Sequence, residues 1–229
     1  MATPVATKVA AKSAQKAKAK ANTKADTQAS TEVLPIISRG DERQAQLLEI
    51  ACRLFSQYGF KGTSLRDIAQ EADITKAALY YHFPNKEALF QKIVVESFVL
   101  LLERVNTATA RAVTAHDKVL AFMMTSADYY QQNRNAWVAS SNAFWSKEES
   151  DSRNQALTFR DQYEKLLRKC IEEGIASGEF RAVDPAMAGR VLLSSINSMN
   201  RWHNPAGRLT AAAVVEQFLD IVLVGMKAR

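Results

Sequence analysis

From residue 41 onward, apolar residues recur three and four positions apart, the interval that places them on one side of a helix. Leu47, Leu48, Ala51, Leu54, Phe55 and Tyr58 mark such a face on a helix over 41–58, closed by Gly59. Thr63 is expected to cap a second, short helix that buries Leu65, Ile68 and Ala69, with Asp67 near its positive end. A turn falls at Asp73-Ile74. Thr75 then caps a third helix that buries Leu79 and leaves Lys76, Ala77, Ala78, Tyr80, Tyr81 and His82 on or near its open side. After Phe83-Pro84, a fourth helix begins near Asn85 and runs through Leu89, Phe90, Ile93 and Val94 to Leu101-Leu102.

The same spacing continues through Val119, Phe122, Met123, Tyr129 and Tyr130, then Trp137, Phe144 and Trp145, before a Ser/Lys/Glu-rich break at 146–152. A further helix carries Ala156, Phe159, Tyr163, Leu166, Leu167, Cys170 and Ile171 and ends between Gly174 and Gly178. Asp184-Pro185 starts another, with Asp as cap and Pro at the first helical position, whose face reads Met187, Ala188, Val191, Leu192, Ser195, Met199 and Trp202. The last helix, capped by Thr210, presents Val214, Val215, Phe218, Leu219, Val222 and Val224. An all-α protein follows.

Composition agrees, since only 8 glycines and 5 prolines interrupt 229 residues, 47% of them hydrophobic. No apolar run reaches the roughly 20 residues of a membrane span, and the N-terminus lacks the apolar core of a secretory signal, so a cytoplasmic location is expected. Cys52 and Cys170 show neither pairing nor metal spacing and read as reduced core residues.

The net charge of +6 suggests a nucleic-acid partner, but its distribution changes that argument. Residues 1–40 hold seven cations against two carboxylates, whereas residues 41–90 hold six against seven. The excess therefore sits in an Ala/Lys-rich tail, 1–40, that has almost no large apolar residue before Val33 and is expected to be disordered. Either this tail adds sequence-independent affinity for DNA by counterion release or it is a solubilising leader.

Around the Asp73-Ile74 turn, the open side of the third helix offers what a duplex requires. Lysine neutralises phosphate, tyrosine and histidine donate to phosphate oxygens, and alanine methyls can lie against a thymine methyl. A plain helical hairpin with an amphipathic surface is the alternative reading of the local pattern. The run from Thr63 to Ala69, followed by Thr75-Lys76-Ala77-Ala78-Leu79-Tyr80-Tyr81-His82-Phe83-Pro84-Asn85-Lys86, resembles the N-terminal domain of the tetracycline-repressor-like (TetR/AcrR) regulators. The resemblance covers about residues 43–95. It departs from the family at Asp73 and Ala77, where glycine is frequent. It implies an all-α homodimer with an N-terminal three-helix, helix-turn-helix DNA-binding domain (41–90) and a larger helical effector-binding and dimerisation domain (91–229). Thr63, Ser64, Thr75, Lys76, Ala77, Ala78, Tyr80, Tyr81, His82 and Lys86 are the expected DNA contacts. The resemblance also implies that the fourth helix carries the effector's signal to the recognition helices, and that a two-fold dimer reads an inverted-repeat operator. The helices around 154–176 and 185–202 are candidates for the dimer contact, with the final helix as an alternative contributor.

For a small apolar or amphipathic effector, Trp137, Phe144, Trp145, Phe159, Tyr163, Met199 and Trp202 supply aromatic and soft lining, while ordinary core packing explains the same residues equally simply. The segment Asn200–Thr210 resembles a connection in the acyl-CoA-sensing branch of the family, which implies that Arg201 or Arg208 meets the nucleotide phosphates. A helix-to-helix turn with solvated arginines is the other reading.

Enzymatic function is not expected. The chain has no Gly-x-Ser-x-Gly elbow, Gly-rich phosphate loop or His-Glu-x-x-His, and His82, His116 and His203 share no ligand spacing. No cofactor or metal is expected either. The expectation is a ligand-responsive transcriptional regulator, acting as a repressor. An architectural DNA-binding protein driven by the basic tail is the alternative, against which the large aromatic C-terminal half argues.

Overall fold

The computed structural model describes residues 39–144 and 151–226; the side chains of residues 39, 40, 142–144, 151 and 152 are outside that description. The basic tail, Trp145 and most of the Ser/Lys/Glu-rich break lie outside the described residues, as does the side chain of Phe144. The described chain is all-α. Its helices are α1 (Arg39–Gly62), α2 (Leu65–Glu71), α3 (Lys76–His82), α4 (Lys86–Arg111), α5 (Ala115–Gln132), α6 (Arg134–Phe144), α7 (Asp151–Ser177), α8 (Pro185–Asn197), α9 (Met199–Trp202) and α10 (Ala211–Met226). None is long and apolar enough to cross a membrane.

Side-chain caps set most of the starts. Ser64 Oγ accepts from the Asp67 N–H at 3.2 Å while the Ser64 N–H donates to Asp67 Oδ2 at 2.8 Å, a reciprocal capping box on α2. Thr75, Asn85 and Thr114 cap α3, α4 and α5 in the simpler way, each accepting from the N–H three residues on. Asp184 accepts from the Ala186 and Met187 N–H groups ahead of α8, with Pro185 at its first position. Thr210 accepts from the Ala213 N–H at 3.1 Å at the start of α10.

Within α1, Gly59 has φ 74 and ψ 167, a conformation open essentially to glycine alone, and it ends the regular helix where the sequence places the stop. The chain then turns so that Thr63 enters the core at 2% exposure, its hydroxyl donating to Gly59 O (3.0 Å) and toward Leu54 O (3.3 Å). This corrects the sequence expectation for Thr63. The cap is its neighbour Ser64, because the kink at Gly59 turns Thr63 inward and leaves Ser64 at the helix start.

Two further boundaries differ from the pattern. The single apolar run from Val119 to Trp145 is broken at Asn133, whose backbone N–H and side-chain amide both donate to Tyr129 O and close α5. Apolar spacing carries across the break because Trp137 still packs edge-on to Tyr130, with ring centroids 5.7 Å apart. Likewise α8 stops at Asn197, and Met199–Trp202 forms the separate turn α9.

An aromatic triad fastens the N-terminal helices to α4. Phe90 of α4 meets Phe55 at 5.3 Å, edge to face, and Phe60 at 4.8 Å. Farther along, α4 packs against α5, α6 and α7, with Phe98 stacked on Phe159 at 6.0 Å. Phe122 of α5 packs on Tyr163 of α7 at 4.6 Å. Cys52 and Cys170 are both buried and free, and burial, with a smaller contribution from Glu49, pushes the Cys52 thiol up to about 12.

Candidate nucleic-acid face and effector cavity

The turn between α2 and α3 is fixed by backbone chemistry. Asp73 takes φ 51, a left-handed conformation that Asp tolerates, and Ile74 donates to Ala69 O at 3.0 Å. Arg43 reaches from α1 to donate to Ala72 O at 3.0 Å, and Arg53 pairs with Glu71 at 2.5 Å. These two arginines hold α2 at its C-terminal end. Sequence reasoning missed them because their partners lie 29 and 18 residues away.

On α3 only Leu79 enters the core. Thr75, Lys76, Ala77, Ala78, Tyr80 and Tyr81 are exposed, Tyr81 at 88%, and His82 is half-buried. Lys76 Nζ lies 5.5 Å from the centre of the Tyr80 ring, and Tyr81 and His82 meet edge to face. Ser64 is exposed at the start of α2, and its two hydrogen bonds hold the Asp67 carboxyl below the usual carboxylate range. Lys86 has a different environment from the open lysine implied by the sequence. Its ammonium donates to Phe60 O (2.8 Å) and Thr63 O (3.1 Å) and lies 4.2 Å from the Phe60 ring centre. The first residue of α4 therefore grips the two carbonyls that lead into α2.

A cavity of about 420 Å³ lies among α4, α5, α6, α7, α8 and α9. Phe98, Leu101, Tyr129, Trp137, Tyr163 and Leu193 provide buried wall, while Arg160, Arg190 and Arg201 contribute exposed arginines and Glu164 one carboxylate. Arg190 approaches Glu164 at 3.9 Å. Trp137 and Tyr163 of the expected lining are present, as is Arg201. Met199 is not part of this lining because it is fully buried in the core, and Phe159 stands behind Phe98. Trp202 is 53% exposed and packs edge-on to Phe218, and Arg208 is exposed; neither lines this cavity. A helical face identifies which residues point inward, but it cannot separate a cavity wall from the packed layer behind it. The polar wall, including Ser97, Ser140, Asn197 and Asn200, was missed because only the tertiary arrangement brings it together.

Two helices join the cavity to the nucleic-acid face. Ser97, Phe98 and Leu101 of the cavity belong to α4, whose first residue is Lys86. Trp137, Ser140 and Ser141 belong to α6, whose Asn135 is hydrogen-bonded to Ser56 of α1 at 2.9 Å. Among the described residues no cluster of three or more His, Cys, Asp or Glu side chains could hold a metal ion.

A short recognition-type helix held by its neighbours, together with a cavity whose wall helices reach that unit, defines a helix-turn-helix protein with an internal cavity. Residues 47–93 match the bacterial regulatory proteins of the tetR family, and residues 112–226 match the tetracyclin repressor-like C-terminal domain. The chain therefore belongs to the TetR family of transcriptional regulators, and it is not an enzyme. Among curated relatives, the HTH-type transcriptional repressor KstR2 of Rhodococcus jostii strain RHA1 is 27% identical over 80% of this chain and 91% of its own length. The TetR-family regulator PfmR from Thermus thermophilus superimposes with a TM-score of 0.73 at 32% identity, covering 78% of this chain and 97% of that one. AibR, solved with isovaleryl coenzyme A and operator DNA, shares the fold with a TM-score of 0.70 at 24% identity, over 81% of this chain and 98% of that one.

Proposed function

We propose that this protein is a homodimeric repressor that binds an inverted-repeat operator and leaves it when an acyl-CoA thioester fills the cavity. The observation that carries the reading is the double role of α4, which grips the entry to α2 through Lys86 and forms cavity wall through Ser97, Phe98 and Leu101. A ligand that shifts this wall moves the recognition unit with it. Lys76, Ala77 and Ala78 face base edges or adjacent phosphate. Ser64, Thr75, Tyr80, Tyr81 and His82 hold the backbone, and Lys86 keeps a third N–H for phosphate. Thr63 contributes by its backbone alone.

The chemistry of the cavity favours an amphipathic anion. Its apolar interior suits an acyl chain, and three arginines against one carboxylate suit the phosphates of a nucleotide head lying toward solvent. Of the two expected arginines, Arg201 keeps this role and Arg208 does not. AibR carries isovaleryl coenzyme A on the same fold.

Dimerisation is assigned to α8 and α10. Met187 and Val191 on α8 and Ile221 and Val224 on α10 expose large apolar side chains in a stripe, whereas the outer positions of α7 are mainly polar. The last helix thus takes precedence over the 154–176 helix of the sequence expectation.

The test is recovery of sheared genomic DNA on the purified protein, with the bound fragments sequenced, followed by release with medium- and long-chain acyl-CoAs. Sharp peaks sharing an inverted repeat, released by a thioester, are expected. Diffuse recovery without a motif would replace this reading with an architectural one.

A further inference from the structure

Helix α2 is held at both ends by residues of other helices, and each holder leads back to the cavity. At its start, Lys86 of α4 grips Phe60 O and Thr63 O. At its end, Arg43 and Arg53 of α1 bind Ala72 O at 3.0 Å and the Glu71 carboxylate at 2.5 Å. Helix α1 in turn packs along α6, and the two are joined where Ser56 Oγ lies 2.9 Å from Asn135 Oδ1. The same Ser56 oxygen lies 2.9 Å from Arg53 O, so the joint bears on the turn of α1 that carries one of the two arginines. Asn135 sits in the first turn of α6, and Trp137, Ser140 and Ser141 farther along that helix are cavity wall.

A continuous set of contacts therefore runs from the cavity along α6, through Asn135 and Ser56 into α1, and through Arg43 and Arg53 to the end of α2, beside the turn that leads into α3. None of these side chains belongs to α4. We infer that α6 and α1 form a second transmission arm, with Asn135 and Ser56 as its joint, so that the effector displaces the recognition unit by moving both ends of α2. This rests on the effector-release reading above. Apolar packing alone lets one helix slide over another, whereas a hydrogen bond has a preferred length and angle and fixes their register. Asn135 and Ser56 neither line the cavity nor belong to α3, so a change at either acts on the link between the two sites and on neither site itself. They are positioning residues for the response.

The test uses the full-length protein and the operator fragment recovered from genomic DNA, and reads the factor by which saturating octanoyl-CoA or palmitoyl-CoA weakens operator binding. Asn135→Ala and Ser56→Ala are each expected to reduce that factor about fivefold, the worth of one hydrogen bond in the coupling. Operator affinity without thioester, and thioester affinity without DNA by calorimetry, should stay close to those of the parent. The double variant should lose no more than either single one, because both remove the same contact. Ser56→Thr, which keeps the hydroxyl, should retain the parent's factor; if one alanine variant does not fold, the other carries the test. A factor unchanged in the alanine variants, or operator affinity lost without thioester while the factor stands, would overturn the inference and leave release through α4 intact. If neither thioester weakens operator binding by the parent, the acyl-CoA release reading falls and takes this inference with it.

Discussion

Leu79 is the only residue of α3 in the core, so the consequences of changing its neighbours are separable from folding. Tyr80→Ala is expected to weaken DNA binding about tenfold for operator and scrambled duplexes alike, as loss of a backbone contact should. Ala78→Ser should instead change the ranking of operator variants at nearly constant average affinity; fluorescence anisotropy across a panel of duplexes distinguishes the two outcomes. Gly174 shows the opposite coupling. A methyl group there would sit 2.3 Å from Phe180 Cδ2 and 2.9 Å from Ala115 Cβ. Because α7, Phe180 and the start of α5 meet at that point, Gly174→Ala should cost about 1–3 kcal/mol in urea denaturation, the range for overpacking a filled core.

Among the elements, α5 draws electrostatic support at its start from a distant carboxylate. Glu179, just beyond α7, accepts from the Ala115 and His116 N–H groups at 3.1 Å each, and these bonds hold its carboxyl below its ordinary range. Its stabilising contribution is present above the unfolded-state pKa and is lost as pH falls through the lower folded value. Glu179→Gln should therefore melt lower at neutral pH and lose less stability than the parent on acidification from about pH 5 to about pH 3, as thermal melts across that interval would show. Most helices were legible in the sequence because Thr75, Asp184-Pro185 and Thr210 act locally, within a turn of the backbone they cap. Asn133 was not, since the apolar period runs through the break and only its two hydrogen bonds to the Tyr129 carbonyl reveal the stop. The same limit applies to the candidate site. The open side of α3 follows from one helical period, whereas the cavity is assembled from six helices, and Met199 and Trp202 fell on its wrong side for that reason.

At the scale of the molecule, the exposed stripe on α8 and α10 is where a second copy is proposed to dock. Ile221 and Val224 are 74% and 76% exposed, and neither is needed by the subunit's own core. Ile221→Lys should leave the protein folded and able to bind its effector, yet sediment as a monomer and lose high-affinity operator binding, because an unpaired ammonium in an apolar contact is costly. A dimeric variant that retained operator binding would assign dimerisation to another surface. The isolation of Leu79 also bears on how such a regulator can diversify. Five of the seven positions of this short helix are exposed and can mutate with little cost in stability, so after gene duplication one copy can drift to new chromosomal sites by single steps. The chamber has no such freedom. Its walls are also the packing of the C-terminal half, and a new effector must be acquired through changes that the fold itself resists.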